Sequence, residues 1–460
     1  MQVTFVQTSF SLKNFILQNK LFLFFTVLFC AWYVDIWENS NACSRVLPIA
    51  TYFENGNFVL DKYKDKTIDI SIIDGHYYMD KAPLPSMLTL PIFGILKALH
   101  IVHPENGSFY GKSIYITGAI VCGIIPFLLM LFYVAKNLIH KNRTDLILMA
   151  FITFFSSFIF VFAGTFFAHV LAAAFILTAY INYENKKYFF SGLLCGLAFL
   201  TEYTTVWIIF SWCVIELFKH KSIKNIWWMA LGFSPAVLFI FSYNYYFTGN
   251  PFTMLYLFVA DNFVVAEKST YGLSFPKLKA LYGLLFSENR GLLFYAPVLL
   301  YGLYNFFTQA TSSIFSSIKS YILHPVFLPF VLTVLFISSH ANWDGGWTYG
   351  PRHLMSVSTL LIYLIIQSNT FGQNKFVFWL TCGYGLICTF LAKLTVIYSI
   401  PELDENILSY LISKLKDAFN EGNMLSLITH GNPLNAFFVF VALFIAMFLF
   451  QPKTFSPIEQ

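Results

Sequence analysis

A chain of 460 residues with 57% hydrophobic and 11% charged side chains and a mean hydropathy of +0.66 does not have the composition of a water-soluble globule. Its formal net charge of +5 is modest and spread through many loops, so it says nothing in favour of a nucleic-acid surface. Of the seven cysteines only Cys43 falls in a clear polar loop, so no disulfide framework is implied, and no Cys/His spacing resembles a zinc site.

Apolar runs of roughly spanning length fall near residues 21–37, 113–135, 146–163, 167–182, 188–203, 204–218, 226–247, 291–308, 321–339, 353–370, 376–398 and 435–450. They predict an all-α integral membrane protein with about twelve transmembrane helices in a single domain spanning 1–460. The first run follows no small-residue cleavage site and is expected to be a retained helix. Leu84 to Val102 is also apolar, but Pro83, Pro85 and Pro91 crowd its start and Lys97 interrupts it, so it reads as an interfacial helix.

With that stretch outside the count, three short basic loops share one side. They carry Lys136, Lys141 and Arg143, then Lys186 and Lys187, then Lys219, Lys221 and Lys224. Positive-inside bias makes that side cytoplasmic. The larger polar loops, 38–112, 248–290, 340–352 and 399–434, then lie on the outer face of a cell membrane, with a bacterial inner membrane expected. Within the last loop, Ile407, Leu408, Leu411, Ile412, Leu415 and Phe419 recur at helical spacing against Asp404, Lys414, Lys416 and Asp417, predicting an amphipathic surface helix over Leu403 to Phe419. The cytoplasmic loops are too short for a nucleotide-binding domain and contain no Walker or dinucleotide fingerprint.

Two polar islands stand out on the outer side. One runs from Asp74 through Gly75, His76, Asp80, Lys81 and Pro83 to Ser86; the other runs from Asn342 through Asp344, Gly345 and Gly346 to Arg352 and His353. An enzyme working outside needs a substrate already activated on a membrane carrier. Its site needs cations for phosphate, a carboxylate for an acceptor proton and aromatic surface for a sugar or lipid chain. The islands supply all three types.

The order of these features resembles the GT-C class of multi-spanning glycosyltransferases, which includes protein O-mannosyltransferases and the aminoarabinose transferases of lipid A. Arg45, the segment through Tyr52 to Gly56, and Gly75 to Pro83 are similar to that class's first external loop, where an acidic-Lys-Pro-Pro element holds the donor phosphate. Gly196 to Tyr203, Tyr243-Asn244 with Asn250-Pro251, and Gly345 to His353 resemble segments of bacterial members. The resemblance implies a polyprenyl-phosphate sugar donor, a lipid, glycan or protein acceptor, contact with membrane lipids and no nucleic acid. It also implies phosphate binding by Lys81 and Arg352, supported by Asp80. An acid soon after the first span, here Asp35 or Glu38, would serve as base, although aligning Arg45 with the family arginine places Ala42 and Cys43 where the acidic pair is expected.

Each residue also has a plainer reading. Lys81 has the form of a snorkelling lysine and Asp80 of its ion-pair or capping partner. Arg352 and Arg290, each at the outer start of an apolar run, have the placement of head-group anchors; an anion bound there would use helix dipole and guanidinium together. Trp343, Trp347 and Tyr349 fit either a sugar-stacking wall or an interfacial aromatic belt. His169 and Glu202 are ionisable groups near the outer ends of apolar helices, which marks them as candidates for a shared external cavity. Glu216, beside Lys219 at the other end, reads as structural. Asp61, Asp74 and Asp344 are further candidate bases, and each is also an ordinary turn former. No cofactor is required; a divalent metal on Asp74, His76 and Asp80 is compatible. A transporter or lipid flippase, or a non-catalytic relative, is the alternative. Such transporters place polar sites at the bilayer midplane in repeated halves, whereas these polar residues gather at one face.

Overall fold

The computed structural model describes residues 12–34, 39–105, 109–259, 272–309, 322–395, 406–416, 423 and 432–452. Helices α1 (Leu12–Gln18) and α2 (Lys20–Ala31) meet at 82°. At the corner, Asn19 donates its side-chain amide to the Phe15 carbonyl, 2.9 Å away. Helix α3 (Ser40–Asn55) begins where Asn39 accepts from the Ala42 amide and stops at Gly56, whose left-handed backbone (φ +71°) suits a helix C-cap.

Strands β1 (Ile70–Ile73) and β2 (His76–Met79) then form an antiparallel hairpin, pairing Ile70 with Met79 and Ile73 with His76. The all-helical expectation is corrected here. Asp74 and Gly75 both have positive φ (51° and 84°), as a tight two-residue hairpin turn demands. Helix α4 (Leu84–Ala98) follows, starting at Pro83 as expected, with a second proline in its first turn where no intrahelical donor is lost.

Helix α5 (Gly111–Ala119), a π turn at Ile120–Ile124 and helix α6 (Ile125–His140) make one continuous apolar rod of 30 residues. Helices α7 (Ile147–Phe155) and α8 (Phe158–Val161) are the next run, bent by 73° with the 3₁₀ turns that flank them. The break sits at Ser156 and Ser157, whose hydroxyls donate to the carbonyls of Thr153 and Phe154. Four helices come next: α9 (His169–Glu184), α10 (Tyr188–Thr201), α11 (Val206–Phe218) and α12 (Ile223–Thr248). Beyond them lie α13 (Leu278–Phe286), α14 (Leu292–Tyr295), α15 (Val298–Gln309), α16 (Phe327–Ser339), α17 (Met355–Gln367) and α18 (Lys375–Leu394). Helices α19 (Ile407–Lys414) and α20 (Pro433–Leu449) complete the described chain.

Among the described residues, three helices are long and apolar enough to cross a membrane: Gly111–His140, Ile223–Thr248 and Lys375–Leu394. Counting each bent pair as one span raises this to five, and six further apolar helices run 10–17 residues. That is fewer than the twelve spans expected from hydropathy, because breaks divide some apolar runs and others give helices shorter than a full crossing. The run at 146–163 breaks at its serine pair, and the run at 291–308 breaks at Ala296 and Pro297, between α14 and α15. The expected amphipathic helix is described only over Ile407–Lys414, where Ile407 and Leu411 are buried.

Aromatic packing fills the centre. The Phe29 ring lies 4.5–5.9 Å from those of Phe155, Phe160, Phe390, Phe440 and Phe444, tying α2 to α7, α8, α18 and α20. The polar loops meet one another at one end of the bundle. Ser71 bridges to Val259 and donates to Leu255, Leu273 bridges to His340, and Asn406 donates to Glu288. Basic turns meet elsewhere: Arg143 donates to the carbonyls of Ser368 and Phe371, Lys141 to Gln367, and Lys219 to Leu323.

Helices α10 and α12 approach closely on small residues. A Cβ added at Gly192 would lie 2.0 Å from the Met229 carbonyl oxygen, and one at Gly232 would lie 2.0 Å from that of Phe189. Gly192 and Gly196 on one helix face Gly232 and Ala236 on the other, the small-residue spacing that lets apolar helices associate without a hydrophobic drive. Replacing Gly192 by Leu is expected to force the backbones apart and cost at least about 1–3 kcal/mol. Leucine at Gly383, whose added Cβ meets nothing within 4 Å, serves as the control. Thermal unfolding in detergent should separate the two variants.

Candidate functional site

Three chain breaks converge to present ionisable side chains. His169 opens α9. Glu202 interrupts the apolar run between α10 and α11 with extended backbone (φ −152°, ψ 112°), and His353 lies in the 3₁₀ turn Arg352–Leu354 that leads into α17. One Glu202 oxygen is 2.8 Å from His169 Nδ1; the other is 3.5 Å from His353 Nδ1 and accepts from the Thr204 hydroxyl at 3.1 Å. The two imidazoles stand edge to face with centroids 5.5 Å apart. His169 is buried, and its Nε2 has no hydrogen-bond partner among the described residues.

The hairpin and α3 build a second charged centre. Lys81 Nζ is 2.9 Å from Asp80 Oδ2 and 3.3 Å from Asp69 Oδ2. Ser44 on α3 donates to the other Asp80 oxygen at 3.2 Å. Arg45, next along that helix, donates to the Asn41 carbonyl at 2.6 Å, and its Nε is buried and unpartnered among the described residues. The Arg45 carbonyl in turn accepts from Ser86 at 2.9 Å, which fixes the start of α4 against α3.

Burial pushes the Asp80 carboxyl above its ordinary range, although the Lys81 charge pulls it down. Burial also pulls Lys81 down, but Asp69 and Asp80 together outweigh that effect and leave its pKa raised. Two buried acids therefore share one cation, and their charges keep that cation protonated.

Arg352 links the centres. Its guanidinium lies over the Phe167 ring at 5.4 Å, its Nε is buried without a partner among the described residues, and it interacts electrostatically with Asp69, Arg45 and Glu202. Arg45 likewise feels Asp69, Asp80 and Glu202. Leu84 at the start of α4 packs, as do Tyr203 and Tyr243, against the buried cluster of Leu200, Ala236 and Ile240. The loop before Arg352 relies on left-handed glycine. A Cβ at Gly350 (φ +66°) would lie 2.6 Å from the Tyr295 ring, and one at Gly345 (φ +76°) would lie 3.1 Å from Arg352 Nε.

Of the residues singled out in the sequence, Lys81, Asp80, Arg352, Glu202 and His169 are thus brought to the same charged region. Arg290 is not free in the same way, since it donates to the carbonyls of Thr348 at 2.8 Å and Gly346 at 3.1 Å and so clamps the Arg352 loop. The aromatic wall does not assemble as one surface. Trp347 is exposed, Tyr349 is buried edge-on against Tyr295 with centroids 4.7 Å apart, and Trp343 lies over Gly283. Asp74, His76 and Asp80 do not form one ligand set, because His76 pairs with Asp61 at 2.7 Å while Asp80 faces Lys81. Asp344 accepts from the Gly346 amide, as a turn former does. Glu216 is structural as expected, accepting from Tyr183 and Asn225, each at 2.7 Å. Asp35 and Glu38 lie outside the described residues.

His353 and Asp69 were not singled out in the sequence. His353 closes a polar island that directed attention to its arginine. Asp69 lies just before a strand, and its spacing to Lys81 acquires meaning only once the hairpin folds. Compared with protein-family models and with curated proteins, the chain matches none.

Removing the cation between two buried acids is expected to be costly. Lys81→Met should destabilise the protein by about 3–5 kcal/mol, and adding Asp80→Asn to it should recover part of the loss. The stabilisation due to the raised Lys81 pKa is fully present below pH 10.5 and lost as pH rises beyond it. Thermal unfolding from pH 9 to about 11.5 should therefore show a steeper alkaline decline in wild type than in Lys81→Met.

Proposed function

We propose that this chain is a membrane glycosyltransferase of GT-C type, moving a sugar from a polyprenyl-phosphate donor to an acceptor at the outer face of a cell membrane. The observation that supports this most strongly is the unpartnered, part-buried guanidinium of Arg352 beside Arg45 and the Asp69–Lys81–Asp80 cluster. Desolvated cations with donors left over are what a phosphate leaving group requires. In this reading the shorter apolar helices also cross, in a locally thinned bilayer, giving about twelve crossings.

In the proposed reaction an acceptor oxygen or nitrogen attacks the anomeric carbon from the face opposite the phosphate. The new bond forms as the bond from carbon to phosphate oxygen breaks, and its electron pair leaves with the lipid phosphate. Lys81 and Arg352 stabilise that developing charge in a site from which water is largely excluded. Asp35 or Glu38 takes the acceptor proton, and the configuration at carbon is inverted. Asp80 and Asp69 hold Lys81 charged and in place; Glu202 and His169 line the same region. No nucleotide is needed, because the carrier arrives activated.

The test is transfer of labelled sugar from polyprenyl-phosphate hexose to a crude membrane acceptor extract, with the protein in nanodiscs. Wild type should move label off the carrier, and Arg352→Ala should lower kcat/KM at least a hundredfold, or about 2.7 kcal/mol of transition-state stabilisation. Arg352→Lys should recover only part, since lysine lacks the planar fork. Absence of transfer by folded wild-type protein across hexose and pentose donors would overturn the proposal.

A further inference from the structure

We infer that His169, Glu202 and His353 form a binding site for one divalent transition-metal ion. One ligand atom from each residue can be chosen so that all lie within 4.8 Å of one another. That is slightly wider than the separation around a bound ion with nitrogen and oxygen ligands near 2.0–2.2 Å, so small side-chain rotations complete the set. In the metal-free arrangement Glu202 lies between the two rings, 2.8 Å and 3.5 Å from their Nδ1 atoms. The two rings are thus already gathered around one carboxylate.

A second observation points to a ligand. His169 is only 4% exposed, yet its Nε2 has no partner among the described residues. Coordination through Nε2 would remove the desolvation penalty of that unpartnered nitrogen and leave Nδ1 on one Glu202 oxygen, with the other oxygen facing His353. The backbone supports the geometry as well. The three residues come from the start of α9, the break after α10 and the turn before α17, so each is held by a helix end rather than a free loop. Thr204 donates to Glu202 and orients the carboxylate in the way a supporting hydrogen bond orients a metal ligand.

Donor chemistry narrows the ion. Two imidazoles and one carboxylate suit Zn²⁺, Co²⁺ or Fe²⁺ over Mg²⁺ or Ca²⁺, which prefer oxygen ligands. Three protein ligands leave coordination open. A doubly charged ion beside one carboxylate, with Arg352 and Arg45 in electrostatic range of His169, leaves excess positive charge. The open position therefore favours an anion, such as a phosphate oxygen. That last feature rests on the transferase reading; the metal site does not.

Cobalt(II) chloride is the probe. Chelator-stripped protein in nanodiscs is titrated with cobalt, following the visible d–d bands and the metal retained after desalting. Wild type should take up about one equivalent, and zinc should displace it. Glu202→Gln and His353→Ala should each weaken uptake at least tenfold. Because His353 is less buried than His169, its alanine variant is the more tolerant of the two, and circular dichroism establishes that each variant is folded. No uptake by folded wild type would overturn the inference, as would uptake unchanged in both folded variants. Neither outcome depends on sugar transfer, so the two proposals fail separately.

Discussion

Charge taken out of water governs this structure. An ion buried in an apolar bundle carries a penalty of several kcal/mol unless an opposite charge or a set of hydrogen bonds offsets it. Lys81, Asp69 and Asp80 meet that requirement in one cluster, and Glu202 meets it with two imidazoles and a threonine hydroxyl. Neither arrangement can form within a single helix. The hairpin brings Asp69 to Lys81, 12 residues on, while Glu202 meets imidazoles 33 residues before it and 151 after it. Arg352 is the exception that gives the region its chemical character, because an aromatic face and distant charges offset its burial only in part.

Helix breaks supply the geometry. Side chains projecting from mid-helix would point outward in a ring around each rod. The residues of the His–Glu–His group instead occupy helix ends, where the backbone changes direction and a side chain can be aimed along the bundle. The extended conformation of Glu202 is the clearest case. The same segment leaves amides and carbonyls to be satisfied locally, and the 3₁₀ turn Tyr203–Thr205, with the Thr205 hydroxyl donating back to the Glu202 carbonyl, does so.

Much of this was legible in the sequence, for reasons that differ by level. Apolar runs marked where helices form, because a long apolar segment has few other ways to satisfy its backbone. Proline marked the start of α4. Hydropathy averaged away the breaks, since Ser156-Ser157 and Ala296-Pro297 barely alter a window mean, so it counts more runs than there are described helices long and apolar enough to cross. The hairpin was missed although Asp74-Gly75 between alternating side chains is a turn signature; a window tuned to spanning helices does not sense a period of two. At the site, Lys81, Asp80, Arg352, Glu202 and His169 were visible as polar groups in apolar surroundings. The ion pair of Lys81 with Asp69 and the contact of Glu202 with His353 depend on residues 12 and 151 positions apart, and pairing at such distances is not written in local pattern.

The glycine contact between α10 and α12 has a further role as a fixed reference point along the bundle. Glu202 lies 10 residues beyond Gly192 and Tyr243 lies 11 residues beyond Gly232, so both sit about 15–17 Å further along helices that run the same way. Backbone touching backbone tolerates little axial sliding. The seam therefore acts as a ruler, setting the heights at which the acid on one helix and the phenol beside Asp80 on the other arrive. The least buried of the three long apolar helices, Ile223–Thr248, can then carry a residue held at a fixed height.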